Sequence, residues 1–447
     1  MLTTNDARAI AKKVFAACGN KVQAETFIID HVNALTRYAN NSISQNVLQS
    51  SVDMSIKVFD ENKTAKVSIT RFDDASIKEA AGRAIEMLKF QAPDPEAVPF
   101  AGAQKYRTMN SWDAATAGVS PEQRADAITK AVAECRSRGL QSFGIFSNSS
   151  VAMALENSKG LSAFHQATSF DCSCTASTED STGWAGLAGQ RVARLVPADL
   201  ACTAAEKALT CKSPVALDPG RYDVILEPAA VADLLAFMSY QGFGALPFLE
   251  GRSFMSGKIG NQLLGKNVTI ADDAFHPEAN GMPFDFEGIP KQTVSLIDKG
   301  VAKSVVYDGR TARKAGTVST GHGIPESATF GPIAVNLVMS GGDSSLDKMI
   351  ASTKRGVLVT EFHYSNVIDP LRLLLTGMTR NGTFLVEDGK ITKGIKNMRF
   401  TESVVEALSR VESLSKDTMF RSGFFGGGFV VPAVKIKDFN FSSETKF

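Results

Sequence analysis

Zinc-dependent hydrolysis on a helix needs two imidazoles one turn apart with a carboxylate between them, so that both rings reach the metal while the acid activates water. The chain has five histidines, His31, His165, His276, His322 and His363, and no two lie within five residues of one another. A local helical zinc site is therefore excluded. A dispersed set, His276, His322, Glu361 and His363, is left as the alternative for a metal, because ligands can converge from separate loops. His322 stands out among them, since flanking Gly321 and Gly323 let the backbone approach a ligand or another strand closely. The plainer reading is that the glycines shape a turn which His322 caps.

Other catalytic signatures are missing from the sequence: there is no GxSxG elbow, no GxxxxGK[ST] phosphate loop and no GxGxxG opening a helix after a strand. The glycine-rich run Gly423 to Phe429 precedes the strand-like VVPAVKI rather than a helix, so it reads as a bulged strand or tight bend. Cys172 and Cys174 are the one close pair among six cysteines; strand alternation puts them on the same face, as buried thiols rather than a zinc knuckle.

Around these residues the elements follow from periodicity. Ala7, Ile10, Ala11 and Val14 share a helical face over Asn5 to Cys18, and Gly19 stops the helix. Strand-like runs start at Gln23, with VDMSIKVF and AKVSITRF flanking the turn-prone DENK, and Asp74 is placed to cap a second helix that runs to Phe90. A proline-bearing loop covers about Gln91 to Pro121. A third helix begins at Pro121, three strand-like segments (LQSFGIFSNSS, VAMALENSKG, LSAFHQATSFDCSCTAST) follow, and Asp199 is placed to cap a helix over Leu200 to Leu209. The middle segment thus repeats the helix-then-strands logic of the first.

The run SPVALDPGRY marks a boundary, giving an amino-terminal α/β domain over 1–217, with sub-units at about 1–90 and 115–217, and a β-rich carboxy-terminal domain over 218–447. In the latter, helices are expected at about Ala229 to Gln241, Ser345 to Ser352 and Glu402 to Leu414. The first sets Val231, Leu234, Leu235 and Met238 toward a core, with Ala236, Phe237 and Tyr240 on its other side. Mixed order without βαβ alternation makes the fold class α+β.

Composition narrows the function classes. With 48 basic against 47 acidic residues and no basic stripe interleaved with aromatics, the chain is not built to track nucleic acid. Without a signal peptide or a long apolar span it is expected to be cytoplasmic, away from membranes.

Several segments resemble the TldD/PmbA family. Thr36-Arg37-Tyr38-Ala39-Asn40 with Ile43 and Gln45 is similar to its TRFAN-x-x-I-x-Q strand. Gly251-Arg252-Ser253-Phe254, Gly257-Lys258 and Gly260, then Val268-Thr269-Ile270 and Asp272-Asp273, resemble its GRSF-x-x-GK-x-G…VTI-x-DD run. Ser319 to Gly323 and Thr376-Gly377 to Phe384 continue the likeness in order. The resemblance implies a PmbA/TldD-like fold, dimers that are often TldD/TldE heterodimers, and proteolysis of peptides or unfolded segments; an older family label is modulator of DNA gyrase. TldD-type members carry HExxxH on the helix after the domain boundary and a carboxy-terminal cysteine as a further zinc ligand. Those motif positions fall here on Ala236, Phe237 and Gln241, and no cysteine follows Cys211. The expectation is a PmbA/TldE-like, non-catalytic partner subunit with no cofactor of its own, zinc being held by a TldD-type partner. The alternatives are a metallopeptidase using the dispersed histidines, and a homodimeric peptide-binding protein with His322 as a candidate contact.

Overall fold

The computed structural model of the chain describes residues 1–325, 327–423 and 426–445. Its amino-terminal half uses one pattern twice. A helix, Thr4–Cys18, leads into strands β1 (Gln23–Ala39), β2 (Ser42–Asp60) and β3 (Lys63–Ile69), then a helix, Asp74–Phe90. A helix, Pro121–Ser137, leads in turn into β4 (Gln141–Asn157), β5 (Ser162–Ser177) and β6 (Thr182–Gly189), then a helix, Pro197–Thr210. β1 and β4 pair antiparallel, fusing both units into one six-stranded sheet in the order β3-β2-β1-β4-β5-β6. Alternation along β1 buries Ala24, Thr26, Ile28, Ala34, Thr36 and Tyr38 on one side, where Ile28 meets Val14, Ile77 and Ala81 of the covering helices.

Local chemistry fixes most element ends. Thr3 and Ser120 form capping boxes, and Pro121 occupies the first turn of its helix. Two caps differ from expectation. Asp73, not Asp74, accepts the bond from Ser76 N, because Asp74 already lies in the helix. Asp199 sits inside the first turn of a helix that starts at Pro197, and Val196 supplies no side-chain cap. The segments expected as two strands on either side of Ser150 form the single strand β4. Its polar middle is tolerated because Asn148 donates to Thr116 O and accepts from buried Arg124.

In the carboxy-terminal half, strands β7 (Gly220–Leu226), β8 (Ile270–Asp272), β9 (Val294–Asp298), β10 (Val301–Ala302), β11 (Asn336–Met339), β12 (Arg355–Asp369), β13 (Leu374–Glu387), β14 (Lys390–Gly394), β15 (Met398–Ser403), β16 (Val411–Ser422) and β17 (Gly428–Glu444) form an 11-stranded sheet. β17 is its spine, pairing with β7, β11, β15 and β16. The helix Pro228–Gly242 packs on this sheet through Val231, Leu234, Leu235 and Met238, the face foreseen from spacing. The α+β class and the β-rich second half hold. The helix expected over Glu402 to Leu414 is only Val404–Ser409: Glu402 ends β15, where its carboxylate accepts from Asn440 N, and Val411 already pairs with β17. Short helices Ala245–Leu249 and Gly309–Ala315 add to those expected. The glycine-rich run lies between paired β16 and β17; Gly428 begins β17, whereas Phe424 and Phe425 lie outside the described residues.

Candidate functional site

The two sheets meet at two places, and both gather charge. At the first, the loop from Met282 to Pro290 and the helix Gly309–Ala315 press on the first amino-terminal unit. Phe286 meets Phe27 edge-on at 5.2 Å, Tyr106 donates to Gly288 O, and Arg310 pairs with Asp94 and Glu96. Inside lies a sealed set of ionisable groups. Asp285 accepts from Glu287 N, Ile289 N and Gly323 N, and Glu287 accepts from Gly309 N. Burial pushes Asp285 up to about 6. Burial, together with the Asp285 and Asp308 carboxylates, pushes Glu287 up to about 8. Part-buried Lys291 is close enough to draw the Asp272 and Asp285 carboxyls down, and desolvation holds it below the usual lysine range.

His322 belongs to this sealed set. Its Nε2 lies 3.0 Å from Asp272 Oδ1, an ion-pair distance without the alignment of a good hydrogen bond, and its Nδ1 lies 2.9 Å from Thr320 Oγ1. Both side chains are fully buried. Burial and the neighbouring Lys291 charge lower the histidine's affinity for a proton. Gly321 has φ +74° and a Cβ there would come within 2.4 Å of Pro290 O, so the flanking glycine serves close backbone approach, not a ligand. At 1% exposure in this chain, His322 lines neither of the clefts described below.

The second meeting place opens to solvent. Strand β6 is an edge of the six-stranded sheet, and among the described residues no backbone hydrogen bond joins its outer side to the second sheet. Lys207 Nζ donates to Trp184 O at 3.3 Å and pairs with Glu227 at 2.6 Å, and Thr182 Oγ1 donates to Asn381 Oδ1 at 2.9 Å. Along the strand lie two clefts. One, about 290 Å³, is lined by Trp184, Gly186, Leu187, Lys207, Glu227 and Met419. The other, about 780 Å³ and more polar, begins at Thr182 and is lined by Asp180, His363, Arg380, Asn381 and Lys396.

The helix Pro228–Gly242 touches the smaller cleft with Pro228 and Ala229, and its less buried stripe is Asp233, Ala236, Phe237 and Tyr240. Burial, reinforced by the Glu361 charge, pushes Asp233 up to about 7. Glu361 is raised by burial and accepts from Asn381 Nδ2 at 2.6 Å. The Arg421 guanidinium, 4.5 Å over the Trp184 ring, lies close enough to draw down the pKa of Asp233, Glu361 and Asp171. The smaller cleft itself is largely apolar, with Arg194, Asp199, Lys207 and Glu227 as its charged lining, suited to gripping backbone and a charged group.

The metal alternative drawn from sequence is dispersed further by the fold. His322 is sealed away, Glu361 is tied to Asn381, His363 packs edge-on against Tyr364 in the larger cleft, and His276 Nδ1 accepts from Glu278 N in a loop. Among the described residues no three His, Cys, Asp or Glu side chains are grouped as metal ligands. Ala236, Phe237 and Gln241 offer a methyl, a phenyl ring and an amide, a donor set that does not fit zinc. Cys172 and Cys174 are buried thiols on one face of β5, and Cys174 Sγ lies 3.9 Å from Cys135 Sγ. Sequence reasoning missed Asp233, Arg421, Trp184 and Lys207; Asp233 alone carried a signal, as the sole charge in the apolar run from Ala229 to Met238.

Comparison with known proteins places these features. Residues 219–443 match the model of the PmbA/TldA metallopeptidase C-terminal domain, and residues 70–212 that of the central domain. The Metalloprotease TldD homolog of Haemophilus influenzae is 31% identical over 167 residues, 36% of this chain and 34% of that protein. A metalloprotease of Methanothermobacter thermautotrophicus is 24% identical over 212 residues, 46% of this chain and 45% of that one. The chain therefore spans less than half the length of these curated relatives. Among solved structures, TldE from Thermococcus kodakarensis superposes with a TM-score of 0.86 at 21% identity, covering 98% of this chain and 99% of that one. A Thermotoga maritima protein described as a modulator of a DNA gyrase gives 0.86 at 20% identity, covering 97% and 99%. No helix among the described residues is long and apolar enough to cross a membrane.

Proposed function

Because the chain belongs to the PmbA/TldD metallopeptidase family, we propose that it is a non-catalytic partner subunit, working in the cytoplasm with a TldD-type zinc metallopeptidase that cleaves peptides or unfolded segments. The observation that carries this reading is the donor set of the helix Pro228–Gly242, whose first turn, Pro228 and Ala229, lines the smaller cleft: its motif positions Ala236, Phe237 and Gln241 cannot bind zinc or activate water. In this role the outer edge of β6 adds an extended peptide as a further strand, a mode that relies on backbone groups more than on special side chains. Arg194, Asp199, Lys207 and Glu227 set the charge of the wall that the peptide passes.

The test is peptide cleavage by the purified chain mixed with a TldD-type protein from the same source. Cleavage is expected only in the mixture. Gly186→Val should lower it by about tenfold, since a Cβ at this position meets the Trp184 ring at 2.4 Å and drives it into the cleft. Cleavage by the TldD-type protein alone at the rate of the mixture would sink the reading.

A further inference from the structure

Along β6 the main chain is offered outward at alternate residues. Thr178 N donates to Ser181 O and closes the hairpin between β5 and β6, so Thr182 and every second residue after it, Trp184 and Gly186, turn their N–H and C=O groups away from β5. Lys207 Nζ, which donates to Trp184 O, marks the same side. Every strand pair in the six-stranded sheet is antiparallel, and a strand added to β6 in that sense runs from Gly186 toward Thr182. Its carboxy-terminal end then enters the larger cleft, which begins at Thr182.

Two cations stand in that cleft without partners. Arg380 and Lys396 line it, and among the described residues neither side chain makes an ion pair or a hydrogen bond. A bulge places Arg380: β13 carries one extra residue between Arg380 and Thr383, opposite Val359 to Glu361, with Asn381 at φ +54° and Gly382 at φ +121°. The nearest acids are engaged elsewhere. Glu361, opposite Arg380 in the ladder, accepts from Asn381 Nδ2, and Asp180 accepts from Thr178 Oγ1 and Ser213 N. Glu179 is exposed at the bend between β5 and β6. His363, the third basic group of the lining, has its affinity for a proton lowered by burial and by the Arg380 charge.

We propose that Arg380 and Lys396 form a carboxylate site at the end of the β6 edge, which holds a carboxylate at the carboxy-terminal end of an extended peptide and so fixes the direction in which the peptide lies. A guanidinium and an ammonium can each donate a charge-assisted hydrogen bond to such a group. A peptide added the opposite way would bring its terminal ammonium to the same two cations, where like charges repel. The carboxylate can be the terminal one or the side chain of a last Asp or Glu. The inference rests on the reading that β6 adds a peptide strand, and goes beyond it by assigning the peptide's polarity and the groups that set it.

The experiment is fluorescence anisotropy of the full chain with an amino-terminally labelled hexapeptide of Thr and Val, made as the free acid, as the carboxy-terminal amide, and as the amide with Glu in the last position. The free acid should bind about tenfold more tightly than the plain amide. Equally tight binding of the Glu amide assigns the site to any carboxylate at that end, and binding no better than the plain amide restricts it to the terminal one. Arg380→Gln and Lys396→Gln should each narrow the gap between acid and plain amide to about threefold or less, with near-ultraviolet circular dichroism unchanged. Equal binding of acid and plain amide by the wild type would overturn the carboxylate site while leaving strand addition standing, as would variants that weaken both forms alike. No binding of any form would sink the strand-addition reading itself, and the site with it.

Discussion

The carboxy-terminal sheet meets the amino-terminal one twice, with similar side chains put to different use. At the first contact Asp272, Asp285, Glu287, Lys291 and His322 are enclosed, and backbone N–H groups from Gly309, Ile289 and Gly323 satisfy the carboxylates. At the second, Arg194, Asp199, Lys207 and Glu227 line a cleft beside a strand at the sheet's edge. Enclosure is what separates them. A sealed charge set fixes how two sheets dock, and an open one is free to meet a ligand. A buried histidine with a carboxylate partner looks catalytic in isolation, yet here it has no route to a substrate.

The largest test of the contrast removes the cation of this set. Lys291→Met should destabilise the chain by about 1–3 kcal/mol in chemical denaturation, because buried Asp272 and Asp285 lose a positive charge that favours their ionised forms. A loss below about 1 kcal/mol would show that the sealed set is not what docks the sheets. The variant should leave the clefts beside β6 unchanged, so peptide binding at a temperature where it stays folded should match the wild type.

Titration comes next. Glu287, raised in the fold from 4.5 to about 8, binds more protons folded than unfolded between those values. Its contribution is fully present below its unfolded pKa and is lost as pH rises through its folded one, so stability should fall between these limits, by up to about 1.4 kcal/mol per pH unit for this carboxyl. Glu287→Gln should flatten that slope in denaturation curves across the same range, and an unchanged slope would assign the dependence elsewhere. The smallest effect belongs to the open contact. Lys207→Met removes an ion pair at the cleft rim and should cost about 1 kcal/mol or less, while changing peptide binding because Trp184 O loses its donor. A stability loss as large as that of Lys291→Met would erase the distinction between the two contacts.

The elements were legible where local rules act alone. The helix start at Pro121, the turn between β2 and β3 and the core face of the helix Pro228–Gly242 are all written in spacing. The repeated helix-then-strands order was visible too, but not that the two units share a sheet, since β1 pairing with β4 is set by long-range contact. β4 was read as two strands because its polar middle breaks the apolar pattern, and only Arg124, Thr116 and β5 make that middle tolerable. The glycines around His322 mark a place of close approach, while its burial beside Asp272 depends on a distant strand that spacing does not reveal. Arg421 and Trp184 carry no signal of their own; β6 and β16 come together only in the folded chain.

The central claim, that this chain shapes a peptide cleft without performing zinc chemistry, is tested most directly by measuring bound zinc and peptidase activity on the same purified, dialysed sample of the chain alone. The account predicts zinc well below one per chain and no cleavage of unfolded substrates. One zinc per chain, with cleavage abolished by a chelator and restored by added zinc, would contradict it.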